Sequence, residues 1–410
     1  MKKLRILPAI FLILLLGSCS NKNQTPEPNY VVVVSLDGFR WNYHENANTP
    51  VMDSIANAGV KAKSLIPSFP SKTFPNHYSL ATGLYPDHHG IVQNSFYDPD
   101  LDRYYEIRNR EAVSDSTFYG GEPIWVSAEK QGVKTASFYW VGSEAPVGGK
   151  HPTYWKKYKH SFPFEQRIDT VISWLNLPEE IRPRLVLLYF HEPDHVGHVF
   201  GPDSDSVRVT VEYLDSLMGV LSKKINSLEI AGNINLIILS DHGMGWVDPE
   251  KTVFLADHID TNWFETIQGW NPNFCFKVKP EYYDTAFNSL KRTPHIQVWK
   301  HGEVPEKFHY GTHPRTLDFI VVADPGCCVM LKEGFYQSPG AHGYDNFHRD
   351  MHAIFMASGP DFRKGYIGPS FSNIHVYPLL ATILGLTPAP VDGKKDSIVN
   401  LLDPQKYSAE

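Results

Sequence analysis

Three runs of the chain are apolar almost without interruption: Tyr30–Leu36 (YVVVVSL), Arg184–Phe190 (RLVLLYF) and Asn233–Ser240 (NINLIILS). A strand with one wet face alternates apolar and polar residues; a run without alternation reads as a strand covered on both faces. Between these runs, apolar residues recur at helical spacing. Thr49–Gly59 (TPVMDSIANAG) is one such stretch, closed by its glycine. Phe74–Leu84 is a second, Ser206–Ile230 a long amphipathic third, and His375–Leu384 a last helix that closes the sheet. Buried strands alternating with helices predict an α/β fold, with a mainly parallel central sheet and helices on both faces. Two stretches break the rhythm. Residues 143–164 are rich in proline, glycine, lysine and aromatics, and read as a cap loop over the functional edge of the sheet. Residues 251–333 mix short alternating strands with a helical stretch around Glu281–Leu290, and read as a small α+β insert.

The first residues follow another logic. Lys2, Lys3 and Arg5 precede an apolar run, Ile6–Leu16, too short for a bilayer-spanning helix of about 20 residues. A basic start, a short apolar run and small residues read as an export signal over residues 1–18. Leu-Gly-Ser-Cys resembles a bacterial lipoprotein cleavage site, which makes Cys19 the lipidated residue and 19–29 a polar tether. A plain secretory signal with an incidental cysteine is the other reading. The expected product is exported, faces the periplasm or the cell exterior, touches the membrane only through its lipid, and forms a single domain over residues 30–405. Net charge is −7 for the whole chain and −10 without Lys2, Lys3 and Arg5, which argues against a nucleic-acid groove. Cys275, Cys327 and Cys328 are too few for a disulfide framework, although one bridge from Cys275 to Cys327 or Cys328 is open.

Candidate chemistry gathers just past the strand ends. Asp37 follows the first buried run, Asp194 the second and Asp241 the third. In open α/β sheets, ligands bind at this carboxyl edge. Asp194 and His198 stand four apart in HEPDHVGH and share a helical face. Asp241 and His242 are adjacent, so both reach one site only through a sharp turn, which Gly243 permits. His342 lies in the glycine-rich GAHGYDN, residues 340–346. Three carboxylates and three imidazoles suit zinc. Six ligands exceed what one tetrahedral ion with an open position takes, and suit two ions about 3.5–4 Å apart. Among the 19 histidines, His77, His88, His89, His191, His195 and His352 are rivals of similar look, and each of these residues taken alone is also ordinary loop polarity. Thr73 lies where the second helix begins, with Pro75 in a first turn that tolerates it. It reads both as a helix cap and as a nucleophile at an anion-binding helix end.

The segments VVVVSLDGFR, PSKTFPNHYSLATGLYPDHHGIVQN, YFHEPDHVGH, LSDHGM and GAHGYDN, in this order, resemble the nucleotide pyrophosphatase/phosphodiesterase (type I phosphodiesterase) family of the alkaline phosphatase superfamily. The resemblance runs from about Tyr30 to the C-terminus. It implies an alkaline phosphatase-like fold and a two-zinc hydrolase acting on small nucleotide phosphodiesters or pyrophosphates. It also implies residue roles. Asp194, His198 and His342 would hold one zinc; Asp37, Asp241 and His242 the second, shared with the Thr73 oxygen. Thr73 would be the nucleophile, forming a covalent nucleotide intermediate that water releases as a 5′-monophosphate. Asn94 would contact the phosphoryl group. Phe74 would stack on the base, with Tyr158 as the opposite wall and Tyr154 close by, and Lys72 matches a lysine seen in part of the family.

Other activities compete. A phosphomonoesterase must neutralise a dianion, and Lys72 and Arg40 are nearby cations. An aromatic slot accepts a base by stacking but also a quaternary ammonium, which keeps a lipid or choline phosphodiesterase open. A sulfatase needs a modified Cys or Ser motif that Thr73-Phe74-Pro75-Asn76-His77 does not supply. A surface-binding lipoprotein that uses the fold without turnover is the reading from a different class.

Overall fold

The structure is a computed structural model that describes residues 29–334 and 338–407; the expected signal, tether and Cys19 lie outside the described residues. Its frame is an eight-stranded sheet. The strand order is Tyr366–Gly368, Val60–Ala62, Phe355–Ser358, Ile234–Leu239, Tyr30–Leu36, Leu185–Phe190, Thr135–Phe138, Tyr154–Lys156. Every neighbouring pair is parallel except the two made by Phe355–Ser358, which runs antiparallel to both its partners. The uninterrupted apolar runs are its central strands. In the first, Val31 and Val33 enter one core and Val32 and Val34 the other, so no face needs a polar residue. Fully burying each such valine is worth about 1.5–3 kcal/mol.

The first core is covered by helices Thr73–Thr82, Ile124–Lys130 and Val376–Leu384. The second is covered by Pro50–Ala58, Phe164–Leu175 and Asp205–Asn226. The insert has a core of its own. It carries a four-stranded antiparallel sheet in the order Phe264–Trp270, Asn273–Val278, Phe319–Ala323, Ile296–Lys300, backed by helix Tyr283–Arg292 through Ala286 and Leu290. The other face of that sheet, with Cys275, Ile320 and Val322, packs into the main body. Cys275, Cys327 and Cys328 are buried free thiols, so the bridge that the sequence leaves open is not formed. Among the described residues no helix is long and apolar enough to cross a membrane.

One element departs from the expected pattern. The stretch 143–164 is not wholly loop: Tyr154–Lys156 adds an edge strand beside Thr135–Phe138. Only three residues long, with Trp155 and Lys156 exposed, it shows no periodicity in the sequence.

Candidate active site

The strand ends bring the acids together. Asp37 gives its N–H to Phe190 O, and its carbonyl accepts the Asp194 N–H, so the first two strand ends are tied by main chain. Gly38 turns with φ +68° against Asp194, where a Cβ would lie 2.9 Å from the Asp194 Cα. Asp194 opens helix Asp194–Phe200, which carries His198 on the same face. After Ile234–Leu239, the Ser240 hydroxyl accepts the Phe39 N–H and donates to His242 O, fixing the turn at Asp241–His242. Gly243 serves that turn for another reason than the expected freedom. Its backbone is not left-handed; a Cβ there would lie 2.1 Å from Asp350 O.

Each of the three expected imidazoles has one nitrogen committed to the main chain. His198, His242 and His342 donate Nδ1–H to Gly340 O, Gly243 O and Ser71 O at 2.7, 2.8 and 2.8 Å. In a neutral ring this leaves Nε2 as the lone pair, the form a metal-ligating imidazole takes; burial lowers His242, but Asp241 outweighs burial and holds the ring above the usual imidazole range. Those Nε2 atoms face carboxylates: His198 and His342 stand 3.6 and 3.5 Å from Asp194 Oδ1, and His242 stands 3.4 Å from Asp37 Oδ1 and 3.0 Å from Asp241 Oδ2. Asp37 Oδ1, Asp194 Oδ1 and Asp241 Oδ2 are buried and accept no hydrogen bond from any described residue. Two clusters have ligand atoms within 4.8 Å of one another: Asp194, His198, His342, and Asp37, Asp194, His242. The first is the expected set. The second contains Asp194 in place of Asp241, which joins it through His242, so Asp194 lies between the two. Three orphaned carboxylate oxygens opposite three free Nε2 lone pairs fit divalent cations such as zinc.

Packed acids disturb one another. Burial, then Asp241 and Asp194, push Asp37 well above the usual carboxylate range. Burial pushes Asp241 up as well, but His242 and His77 outweigh it and hold it well below. Burial, then His242 and His198, hold His342 well below the imidazole range. An unscreened set of this kind is a functional-site signature.

Thr73 is the first helical residue, and its side chain caps nothing; the N-cap residue is Lys72. Thr73 Oγ1 instead stands 3.2 Å from His242 Nε2, at the acid–imidazole set. Asn94 accepts the Phe74 N–H at 2.9 Å, which takes one of the helix-end donors and leaves the Asn94 NH2 group as the donor available to the cavity. Lys72 does not aim at that point: its ammonium binds Trp270 O and Asn271 O of the insert at 3.3 and 2.7 Å. Burial pulls it down to about 7. Arg40 is spent on Asp203, Asn42 and Met244 O, so neither cation offered for a dianion is set at Thr73.

A cavity of about 1250 Å³ opens over Thr73 and contains Phe74, Asn94 and Tyr158 in its walls. Of the two tyrosines in the cap, Tyr158 faces the cavity. Tyr154 packs on Trp174 and bonds Ile181 O. Most rival histidines find other partners: His89 sits on Ser79, His88 on Asp392 and His352 on Ser64. His77 is fully buried between Thr73 O and the Ser35 hydroxyl, and its Nδ1 also lies 3.3 Å from Asp241 Oδ2. His191 stacks on His160 at 4.0 Å, and His195 lines the cavity. Sequence reasoning missed three contributors. Tyr189 donates its hydroxyl to Asp37 Oδ2 at 2.6 Å; as the polar residue near the end of RLVLLYF it was legible. Arg110 and Glu144 form an ion pair in the cavity wall, and Glu144 also accepts the Tyr158 N–H at 3.0 Å. No sequence signal joins them.

The family model of type I phosphodiesterase / nucleotide pyrophosphatase matches residues 31–345. The chain belongs to this family. It is similar to human ectonucleotide pyrophosphatase/phosphodiesterase family member 1, at 35% identity over 95% of this chain and 44% of that protein. It is also similar to the venom phosphodiesterase CdcPDE of Crotalus durissus collilineatus, at 34% identity over 93% of this chain and 47% of that one. The chain thus spans about half the length of these curated relatives. Among solved structures it matches murine ectonucleotide pyrophosphatase/phosphodiesterase 5, an inactive threonine-to-alanine form in complex with AMP. The TM-score is 0.88 at 33% identity, covering 92% of this chain and all of that one. The type I phosphodiesterase member described here has the expected alkaline phosphatase-like fold.

Proposed function

We propose that residues 30–405 form one catalytic unit that hydrolyses nucleotide phosphodiesters or pyrophosphates to nucleoside 5′-monophosphates. The observation that carries this reading is the pairing of three orphaned buried carboxylate oxygens with three imidazole Nε2 atoms beside the Thr73 hydroxyl. Asp194, His198 and His342 would hold one divalent cation, zinc by donor type, and Asp37, Asp241 and His242 a second, together with the Thr73 oxygen. Such cations lower the pKa of a bound hydroxyl and neutralise charge on a phosphoryl group. Thr73 Oγ1 would attack phosphorus in line, breaking the bond to the leaving oxygen and forming a covalent Thr73–nucleotide ester that water then hydrolyses. The Asn94 NH2 would donate to a phosphoryl oxygen. Phe74 and Tyr158 would hold the nucleoside, and Lys72 would dock the insert rather than touch phosphate. The inactive threonine-to-alanine relative bound to AMP supports both the threonine and a nucleotide product. Export and a lipid anchor at Cys19 rest on the sequence pattern alone; loss of lipid labelling in Cys19→Ser tests them.

The phosphomonoesterase reading loses support at Lys72 and Arg40, whose partners leave neither set for a monoester dianion. The test is release of p-nitrophenol from thymidine 5′-(p-nitrophenyl phosphate). Fast release that a chelator stops and zinc restores is expected. A folded, zinc-loaded protein that releases none would overturn the proposal.

A further inference from the structure

Tyr158 stands on a stretch without regular structure. Residues 157–163 link the edge strand Tyr154–Lys156 to helix Phe164–Leu175 and belong to neither. No ladder of main-chain bonds holds this wall of the cavity. Its ring lies 5.0 Å from Tyr139 and 6.4 Å from Tyr189, and its hydroxyl 3.1 Å from His160 Nδ1. One guanidinium contacts all three of these neighbours. Arg167 stands 5.0 Å over the Tyr139 ring, and donates Nη1–H to Tyr189 O at 2.9 Å and Nη2–H to His160 O at 3.4 Å. Its Nε and Nη2 also donate to Phe162 O at 3.2 and 3.0 Å. The fork therefore holds cap carbonyls on one side and a strand carbonyl on the other.

Arg167 is fully buried and lies outside the cavity wall, so it meets no bound nucleoside. Its partners are carbonyls, the His191 ring and the faces of Tyr139, Phe164 and Phe190; no carboxylate is among them. A buried cation without a counter-ion costs stability that an apolar side chain of like volume would not. What the guanidinium adds is direction: a planar set of donors that reaches separate carbonyls at once. The strand is the fixed side. Tyr189 pairs with Ser35 in the sheet, and the next carbonyl, Phe190 O, takes the Asp37 N–H. The cap is the side that is placed.

We propose that Arg167 is a positioning residue for nucleoside recognition: it registers Tyr158 against the strand that carries Tyr189, and so sets the slot between Phe74 and Tyr158. The inference rests on the reading of those two rings as the nucleoside walls. It gives Arg167 no part in the chemistry at Thr73.

Two diesters with the same leaving group test it: thymidine 5′-(p-nitrophenyl phosphate), and methyl p-nitrophenyl phosphate, which brings no nucleoside. Arg167→Met removes the fork. Arg167→Lys keeps the charge, but one ammonium does not span both sets of carbonyls. Each is expected to raise KM for the thymidine ester about tenfold with kcat within about twofold, as loss of a stacking wall would. For the methyl ester, kcat/KM should stay within about twofold. In a Tyr158→Ala background, Arg167→Met should add almost nothing, because it acts through that ring. Equal falls on both esters, losses that add to Tyr158→Ala, or full rescue by lysine would each overturn the inference. If neither variant folds, the double substitution Lys159→Gly, Ser161→Gly decides. Both side chains are exposed, and the glycines free the cap chain on either side of His160 while Arg167 stays. The same selective rise in KM sustains the inference, and an unchanged KM overturns it. If the unaltered protein hydrolyses neither ester, the hydrolytic reading fails by itself. Calorimetric binding of thymidine 5′-monophosphate to the zinc-loaded protein then decides: binding about tenfold weaker in the variants sustains the positioning role, and equal binding overturns it.

Discussion

At the metal end of the cavity, every imidazole gives one N–H to a main-chain carbonyl, and every carboxylate lies at or just past the end of a buried strand. At the cap end the walls come from two segments, one around Arg110 and one carrying Glu144 and Tyr158, held by contacts made through side chains, with Glu144 buried and Arg110 and Tyr158 half-buried. The first end is fixed by the sheet itself, as chemistry requires of groups that must hold a transition state without rearranging. The second can alter its contacts without disturbing the sheet. On the proposed function, chemistry and recognition rest on different mechanical footings within one cavity, and their substitutions should fail in different ways.

The largest effect belongs at the rigid end. Thr73→Ala should cost at least ~10³-fold in kcat, because among the described residues no other hydroxyl is bonded to His242 Nε2. Its thermal stability should be unchanged, since the side chain caps no helix. Activity near normal would remove the covalent step and with it the reason for that rigidity. Tyr189→Phe is subtler. It deletes only the hydroxyl on Asp37 Oδ2, leaving that buried oxygen without its donor. Outer partners of this kind are worth about 10–100-fold in metal affinity. Zinc competition with a chelator should show that loss while the fold persists; unchanged affinity would mean that the sheet alone orients Asp37.

The same difference explains what could be read from the chain. Asp37, Asp194 and Asp241 were legible because each lies at or just past a continuous apolar run, and the carboxyl edge of such strands is where ligands bind. His198 followed from helical spacing. Thr73 was located but its cap role was not borne out, since local sequence does not show that its hydroxyl turns toward His242. Gly243 was singled out for a flexibility it does not use; its need is the main chain of Asp350, over a hundred residues away. The cap end was least legible. Arg110 and Glu144 carry no periodicity and meet Tyr158 only through tertiary packing, and the three-residue strand before Tyr158 is too short to announce itself.

Tyr158→Ala acts on the adjustable end, and its signature should differ from that of Thr73→Ala. Losing one stacking wall costs about 1–3 kcal/mol of binding. KM for a nucleoside ester should rise about tenfold with kcat little changed, because no group at the phosphate moves. A matching fall in kcat would show that the cap also positions the reacting phosphate, and would merge the two ends.

The smallest expected effect separates them by pH. His191 stacks on His160 of the cap and is held down to about 3, first by burial and then by His160, Arg167 and His195. Glu165 and Glu192 share the groove on its other side. Its folded value lies below the ~6.5 of an unfolded chain, so the closed cap binds fewer protons than an open one between those limits. The stability it lends is full above pH ~6.5 and drains as pH falls toward about 3. Hydrogen exchange, corrected for its intrinsic pH dependence, should therefore quicken at cap amides 157–162 between pH 7 and pH 4.5. The amides of Val31–Val34 should hold, since that stretch is paired on both sides in the middle of the sheet and carries no titratable side chain. His191→Gln should flatten the cap response. If cap and central strand loosen together, the two ends are one cooperative unit, and recognition cannot be altered without cost to the chemistry.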